Sequence, residues 1–216
     1  MGVIQPDFWL YDYYVKNYAV KNNKQLNEIS MLELGNQTFQ DSCLISQLNL
    51  PKTVKEYWES KGVMHTSIDL NGKDGAVPLD LSKPLPANFF NAFNIVTNCG
   101  TSEHVDNQYE CWKNIHKSLK VNGFLLCANP EKDKYNEKHC NWFYDIKFFE
   151  AFACRLGYTI YHLGSLLFPF NGGYVIFAAM EKTKDGEFVF SEDEFTSLIH
   201  SVKNSAVVGV PKSLNA

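Results

Sequence analysis

The chain of 216 residues is 45% hydrophobic, enough to bury one substantial core, and it carries a formal charge of −4 without any cluster of Lys or Arg. That balance excludes a groove for duplex nucleic acid, because neutralising phosphates needs a basic stripe. No apolar run is long enough to span a bilayer and no basic segment leads into one, so a cytoplasmic protein with no membrane partner is expected.

The six cysteines, Cys43, Cys99, Cys111, Cys127, Cys140 and Cys154, are scattered with no CxxC spacing. They read as reduced thiols, not as a disulfide framework or a zinc site, and no metal is expected. Residues 7–21, DFWLYDYYVKNYAVK, place Phe8, Tyr11, Val15, Tyr18 and Ala19 at helical spacing, with Asp7 as the expected cap. The next stretch, ISMLELGNQTF over residues 29–39, opens with an apolar strand and ends in Glu33-Leu34-Gly35. In an open parallel sheet the carboxyl end of a strand is where ligands bind, and a glycine there lets backbone approach them. A single glycine after a strand is far more often an ordinary turn than a cofactor loop.

Helices are expected over residues 39–48 and 51–60, then a strand over 63–70 ending at Asp69 before the turn Asn71-Gly72. A carboxylate in that place can accept both hydroxyl protons of a ribose, and a turn-forming Asp fits the same pattern. Residues 76–81, AVPLDL, read as a third strand leading to Asp80 and Ser82. Residues 93–98 form a fourth, which runs into Cys99-Gly100-Thr101-Ser102-Glu103-His104-Val105, small residues followed by an acid and a histidine. A helix over 106–120 stops at Asn122-Gly123, and a fifth strand over 124–128 leads to a polar loop, EKDKYNEKHCNW, that is ligand-facing or mobile.

A helix over 144–156 follows. Residues 158–163 and 174–180 are strands whose connection has no helical length, so they should pair antiparallel. Residues 186–190 read as strand-like, 191–202 as a helix with Ser191 and Glu194 at capping-box spacing, and the remainder as a loosely attached tail. With no repeat and no linker, residues 1–216 read as a single domain: an aromatic helix at 7–21, a core at 29–181 and a C-terminal helix and tail at 187–216.

This alternation predicts an α/β protein: a Rossmann-like, doubly wound, mostly parallel seven-stranded sheet with an antiparallel last strand and helices on both faces. Glu33-Leu34-Gly35, Asp69 and the segment from Gly100 to Val105 resemble the class I S-adenosylmethionine-dependent methyltransferases, over about residues 29–180. The segment His139-Cys140-Asn141-Trp142-Phe143 is similar to a substrate-side His/aromatic segment in some of them.

The resemblance implies S-adenosylmethionine as cofactor and a small-molecule methyl acceptor as partner. Glu33 and Gly35 would hold its methionine end, with Asn36 and Gln37 as further cofactor-binding candidates, Asp69 its ribose, and Leu70, Asp80 and Leu81 its adenine. Asn98, Cys99 and Gly100 would lie beside the sulfonium, with Glu103, His104 and His139 as the catalytic candidates near the acceptor. Gln37 and Phe39 stand where the family's fuller pattern has glycines, so either the loop is rebuilt around the cofactor with Gln37 in contact, or the site is degenerate. A non-catalytic methyltransferase-like binding or scaffold protein is the alternative. A dinucleotide-dependent oxidoreductase is a weaker one, since G-x-G-x-x-G is absent.

Overall fold

The computed structural model describes residues 2–135, 140–167 and 173–201. Strands β1 (Ser30–Leu34), β2 (Met64–Ile68), β3 (Phe93–Cys99), β4 (Leu119–Pro130), β5 (Tyr158–Leu167) and β6 (Tyr174–Lys182) form one sheet in the order β2-β1-β3-β4-β6-β5. β1 pairs in parallel with β2 and β3, β3 in parallel with β4, and β6 runs antiparallel to both β4 and β5. The hairpin expected from the short connection is therefore present, and the last strand of the sheet runs against the others.

Both faces of the sheet are covered. Ile29, Met31, Ile95, Leu126 and Phe177 face helices α1 (Gln5–Lys21), α2 (Ser42–Leu48) and α3 (Val54–Ser60). Leu32, Leu34, Val96, Leu125 and Ile176 face α4 (Gln108–Ser118), α5 (Ile146–Leu156) and α6 (Glu192–Thr196). Adjacent residues point to opposite sides of a strand, so two covered faces require the near-continuous apolar runs that the sequence shows.

The α4–α5 side holds the denser aromatic packing. Trp112 is fully buried, with the rings of Tyr144, Phe148, Phe149 and Phe152 at centroid distances of 5.5, 4.8, 6.0 and 5.2 Å. Trp112→Ala is expected to destabilise the protein by about 3–5 kcal/mol, read as a lowered urea midpoint. A loss under about 1 kcal/mol would mean that this cluster collapses around the gap.

Several expected elements differ. Residues 76–81 form no strand: only Val77 bridges to Ile68, and Pro78 has no N–H to extend the ladder, so among the described residues the central sheet has six strands and not seven. α1 begins at Gln5 without a side-chain cap, and Asp7 is buried inside its first turn instead of capping it. Thr38–Phe39 pairs in parallel with Gly2–Val3, which delays α2 until Ser42, where Asp41 accepts from the amides of Cys43 and Leu44.

Residues 186–190 are irregular, and Phe188 and Phe190 drop into the core. The helix after Ser191 is a single short turn with the expected capping box, followed by His200–Ser201 pairing antiparallel with Trp142–Phe143. His139 and the chain beyond residue 201 lie outside the described residues.

Candidate active site

In the register of the sheet, Leu34 stands opposite both Ile68 on β2 and Asn98 on β3. The next residues along the three strands, Gly35, Asp69 and Cys99, therefore stand at one level. The chain leaves β1 for β2 on one side and returns to β3 on the other, which makes this edge the topological switch point, where open α/β sheets take their ligands. A cavity of about 360 Å³ opens there. Gly35, Asp69, Leu70, Asp80, Leu81 and Thr101 line it, together with His104, Val105 and Asp106.

Each wall residue is held by its neighbours. Asp69 Oδ2 accepts from the Asn36 amide and Oδ1 from the Asn71 amide, both at 3.0 Å. A carboxylate offers about four lone-pair directions, so two remain for a ligand hydroxyl pair. Asp80 accepts from the hydroxyl and amide of Ser82 and from Lys83 Nζ, and these donors hold its carboxyl below the usual range.

Gly35 sits at φ +76°, and a Cβ on it would stand 2.5 Å from Thr101 Oγ1 and 2.8 Å from Gln37 Nε2. Only glycine fits this crossing. Asn36 turns outward, with Nδ2 on the Lys73 carbonyl and on Asp74.

Gln37 occupies the space that a glycine would leave. It is buried, its amide N–H donates to Glu33 Oε1 at 3.1 Å, and its Nε2 donates to the Leu34 carbonyl and to Thr101 Oγ1 at 3.1 and 3.0 Å. It thus ties the end of β1 to the loop after β3, while its Oε1 has no partner. Phe39 lies away from the cavity, packed edge-on against Phe8 and Tyr57.

The remaining candidates lie inside the wall. Burial pushes the Glu33 carboxyl up to about 8, opposed by the Gln37 N–H. His65 Nε2 stands 3.7 Å from Glu33 Oε2, beyond hydrogen-bond reach, and burial pushes the imidazole down to about 3. Near neutral pH the two are a contact between uncharged groups, not an ion pair.

Asn98 accepts from the Ser102 amide and donates to Ser102 Oγ and Asn129 Oδ1, and Asn129 donates to Glu103 Oε2. Burial pushes Glu103 up to about 7. Its Oε1 lies 4.0 Å from Nε2 of His104, which reaches the cavity. Cys99 points to the α1 face, and burial pushes its thiol well above the usual range. Gly100, at φ +62°, donates its amide to the Ala128 carbonyl.

The structure thus brings Gly35, Asp69, Leu70, Asp80, Leu81 and His104 to one cavity, and keeps Glu33, Gln37, Asn98, Cys99 and Glu103 buried around it. Ile68, Leu79, Ser82, Thr101, Val105 and Asp106 also line the cavity and were not read as site residues from the sequence. Thr101 lies within the segment singled out after β3. Among the described residues no group of His, Cys, Asp and Glu could hold a metal ion, and no helix is long and apolar enough to cross a membrane.

No protein-family model and no curated protein sequence matches the chain. Solved structures do. The 1,6-didemethyltoxoflavin-N1-methyltransferase of Burkholderia thailandensis, solved with 1,6-didemethyltoxoflavin and S-adenosylhomocysteine, superposes with a TM-score of 0.54 at 12% identity, over 79% of this chain and 76% of that one. The N-methyltransferase NodS of Bradyrhizobium japonicum WM9, solved with S-adenosylhomocysteine, gives a TM-score of 0.54 at 9% identity, over 83% and 89%. The fold is that of the class I S-adenosylmethionine-dependent methyltransferases.

Proposed function

We propose that the protein transfers a methyl group from S-adenosylmethionine to an oxygen or nitrogen of a small polar acceptor, a sugar or another metabolite. The observation that carries this reading is the cavity at the switch point, with the Asp69 carboxylate and the Gly35 crossing on its wall. These residues fit the cofactor: Asp69 keeps lone pairs for the ribose hydroxyls, and Leu70 and Leu81 offer apolar surface to a purine. Asn36 and Gly100 then shape the loops through their backbone amides and do not bind the ligand by side chain.

The bound cofactor supplies a methyl group on a sulfonium, already an activated leaving group, so the protein's part is alignment and exclusion of water. Where the acceptor is a hydroxyl, His104 at the cavity takes its proton at a ring nitrogen, with the Glu103 carboxyl behind it. His139, outside the described residues, is the second candidate base.

Calorimetric titration with S-adenosylmethionine tests the reading. Saturable binding at one site is expected, and absence of binding by folded protein at millimolar cofactor overturns it. Once an acceptor is found, His104→Gln is expected to lower kcat about 100-fold with cofactor affinity unchanged.

The filling of a family glycine position by Gln37 favours a second reading, a methyltransferase-like protein that binds without turnover. A methylated product, seen by mass spectrometry, decides between them. Nothing in the site favours a dinucleotide. A pyrophosphate needs a helix N-terminus directly after the glycine, and here α2 begins only at Ser42.

A further inference from the structure

A second cavity, of about 400 Å³, adjoins the one at the switch point, and Asp106 lines both. His104, the candidate base, stands two residues before this shared residue and lines the switch-point cavity. The start of α4 lines the second cavity with Asn107, Gln108 and Tyr109, α6 lines it with Glu192 and Thr196, and half-buried Trp142 completes the lining. No Lys or Arg among the described residues lines it.

Most of its polar groups are already engaged within the chain. Gln108 Nε2 donates to the Ser102 and Val105 carbonyls, and its Oε1 accepts from the Tyr144 hydroxyl. Asn107 Oδ1 accepts from the Glu110 amide, the Tyr109 hydroxyl donates to the Phe190 carbonyl, and the Thr196 hydroxyl donates to the Glu192 carbonyl. Asp106 and Glu192 differ. Both are exposed, and among the described residues neither carboxylate has a hydrogen bond or an ion pair.

Neighbouring cations and helix ends do not account for the pair. Lys113, over the Tyr109 ring, lies 3.4 Å from Glu110, and Arg155 lies 3.4 Å from Glu194, so both are engaged by other acids. An acid favours the N-terminus of a helix, but α4 has Glu110 in its first turn and α6 has Asp193 and Glu194. Two carboxylates without a counter-ion, beside aromatic side chains, select a positive charge, through Coulomb attraction to the acids and attraction of a cation to ring faces. A protonated nitrogen has no lone pair with which to attack a sulfonium. A cationic group held here is therefore a handle and not the methylated atom.

We propose that the second cavity holds an organic ammonium group of the methyl acceptor against Asp106, Glu192 and Trp142, while the acceptor's reacting oxygen or nitrogen reaches past Asp106 into the switch-point cavity. The substrate class is thus a small molecule with a nucleophilic oxygen or nitrogen at one end and a charged amine at the other. The inference rests on the cofactor reading above, which puts the methyl group in the switch-point cavity.

The probe is choline, compared with 3,3-dimethyl-1-butanol, which has the same shape with a carbon in place of the charged nitrogen. Each is titrated into folded protein saturated with S-adenosylhomocysteine, and binding is followed by calorimetry. Choline is expected to bind about ten-fold more tightly than the alcohol. Asp106→Asn and Glu192→Gln are each expected to weaken choline about three-fold, and the double variant to bind choline no better than the alcohol, whose own binding stays within about two-fold of wild type. Glu192 does not line the switch-point cavity, so Glu192→Gln is expected to hold S-adenosylhomocysteine within about two-fold, which also shows that the variant is folded. No binding of choline, no preference over the alcohol, or a double variant that binds choline as wild type does would overturn the inference and leave the cofactor reading standing. If S-adenosylhomocysteine does not bind folded wild type, the cofactor reading fails and the inference fails with it.

Discussion

Replacing Asp69 with alanine is expected to weaken binding of S-adenosylhomocysteine about a hundred-fold. A hydrogen bond to a charged group contributes about 1.5–3 kcal/mol, and two ribose hydroxyls donating to one carboxylate approach 3 kcal/mol after imperfect geometry is allowed for, which corresponds to about two decades in Kd. The same carboxylate accepts from the amides of Asn36 and Asn71 at 3.0 Å, so the variant also loosens the loop that carries Gly35. That second effect is separable. It costs about 1 kcal/mol of stability, since both amides can turn to water, and it appears as a small fall in Tm. Asp69→Asn retains one acceptor and is expected to lose about ten-fold. A change of less than about three-fold in Asp69→Ala would remove Asp69 from the site altogether.

The residues that were legible in the sequence are those whose signal is local. The apolar runs of β1, β3 and β4 announce strands covered on both faces, and a glycine at the end of β1 and an acid before the Asn71-Gly72 turn after β2 are enough to place Gly35 and Asp69 at strand ends. Helix α5 is read correctly to its last turn, because its inward positions Phe149, Phe152 and Ala153 and its stop at Gly157 are written in consecutive residues.

What depended on pairing between distant segments was not legible. Pro78 gives no hint that Val77 still bridges to Ile68, and nothing near Thr38 shows that it pairs with Gly2. Alternation along β3 does carry one unused signal. Cys99 shares a face with Ile95, not with Val96 and Asn98, so the two-residue period already turns its thiol toward α1.

Asp7 shows the same limit most clearly. An acid at the start of an aromatic helix has the local pattern of a cap, and only the packing of α1 across the sheet turns it into a buried carboxyl whose Oδ1 has no partner among the described residues. Gln37 was recognised as a departure from a glycine pattern. Its consequence, a bridge to Thr101, required the loop after β3 to be in place.

The buried acids predict an inverted response of stability to pH. Burial pushes Asp7 up to about 7, Glu33 to about 8 and Glu103 to about 7, whereas an unfolded chain ionises such groups near about 4. The folded protein therefore keeps protons that the unfolded chain has released. The stability these groups contribute is complete below the unfolded value and is lost as pH rises through the folded values. The buried histidines act in the opposite sense. His65 is pushed down to about 3 and His116 to about 4, so their contribution is present above about 6.5 and is lost as pH falls.

The two sets offset one another between about pH 4 and 6.5, and above that the acids act alone. From pH 6.5 to 8 the three together are expected to remove about 3 kcal/mol of unfolding free energy, or roughly 6–12 °C of Tm for a chain of this size. Urea denaturation at the two pH values measures it. Asp7→Asn should abolish about a quarter of the loss, because Asp7 carries about that share of the protons released. Stability that is constant or rising across this interval would show that these carboxyls are already ionised in the folded protein, with a cation of its own beside them.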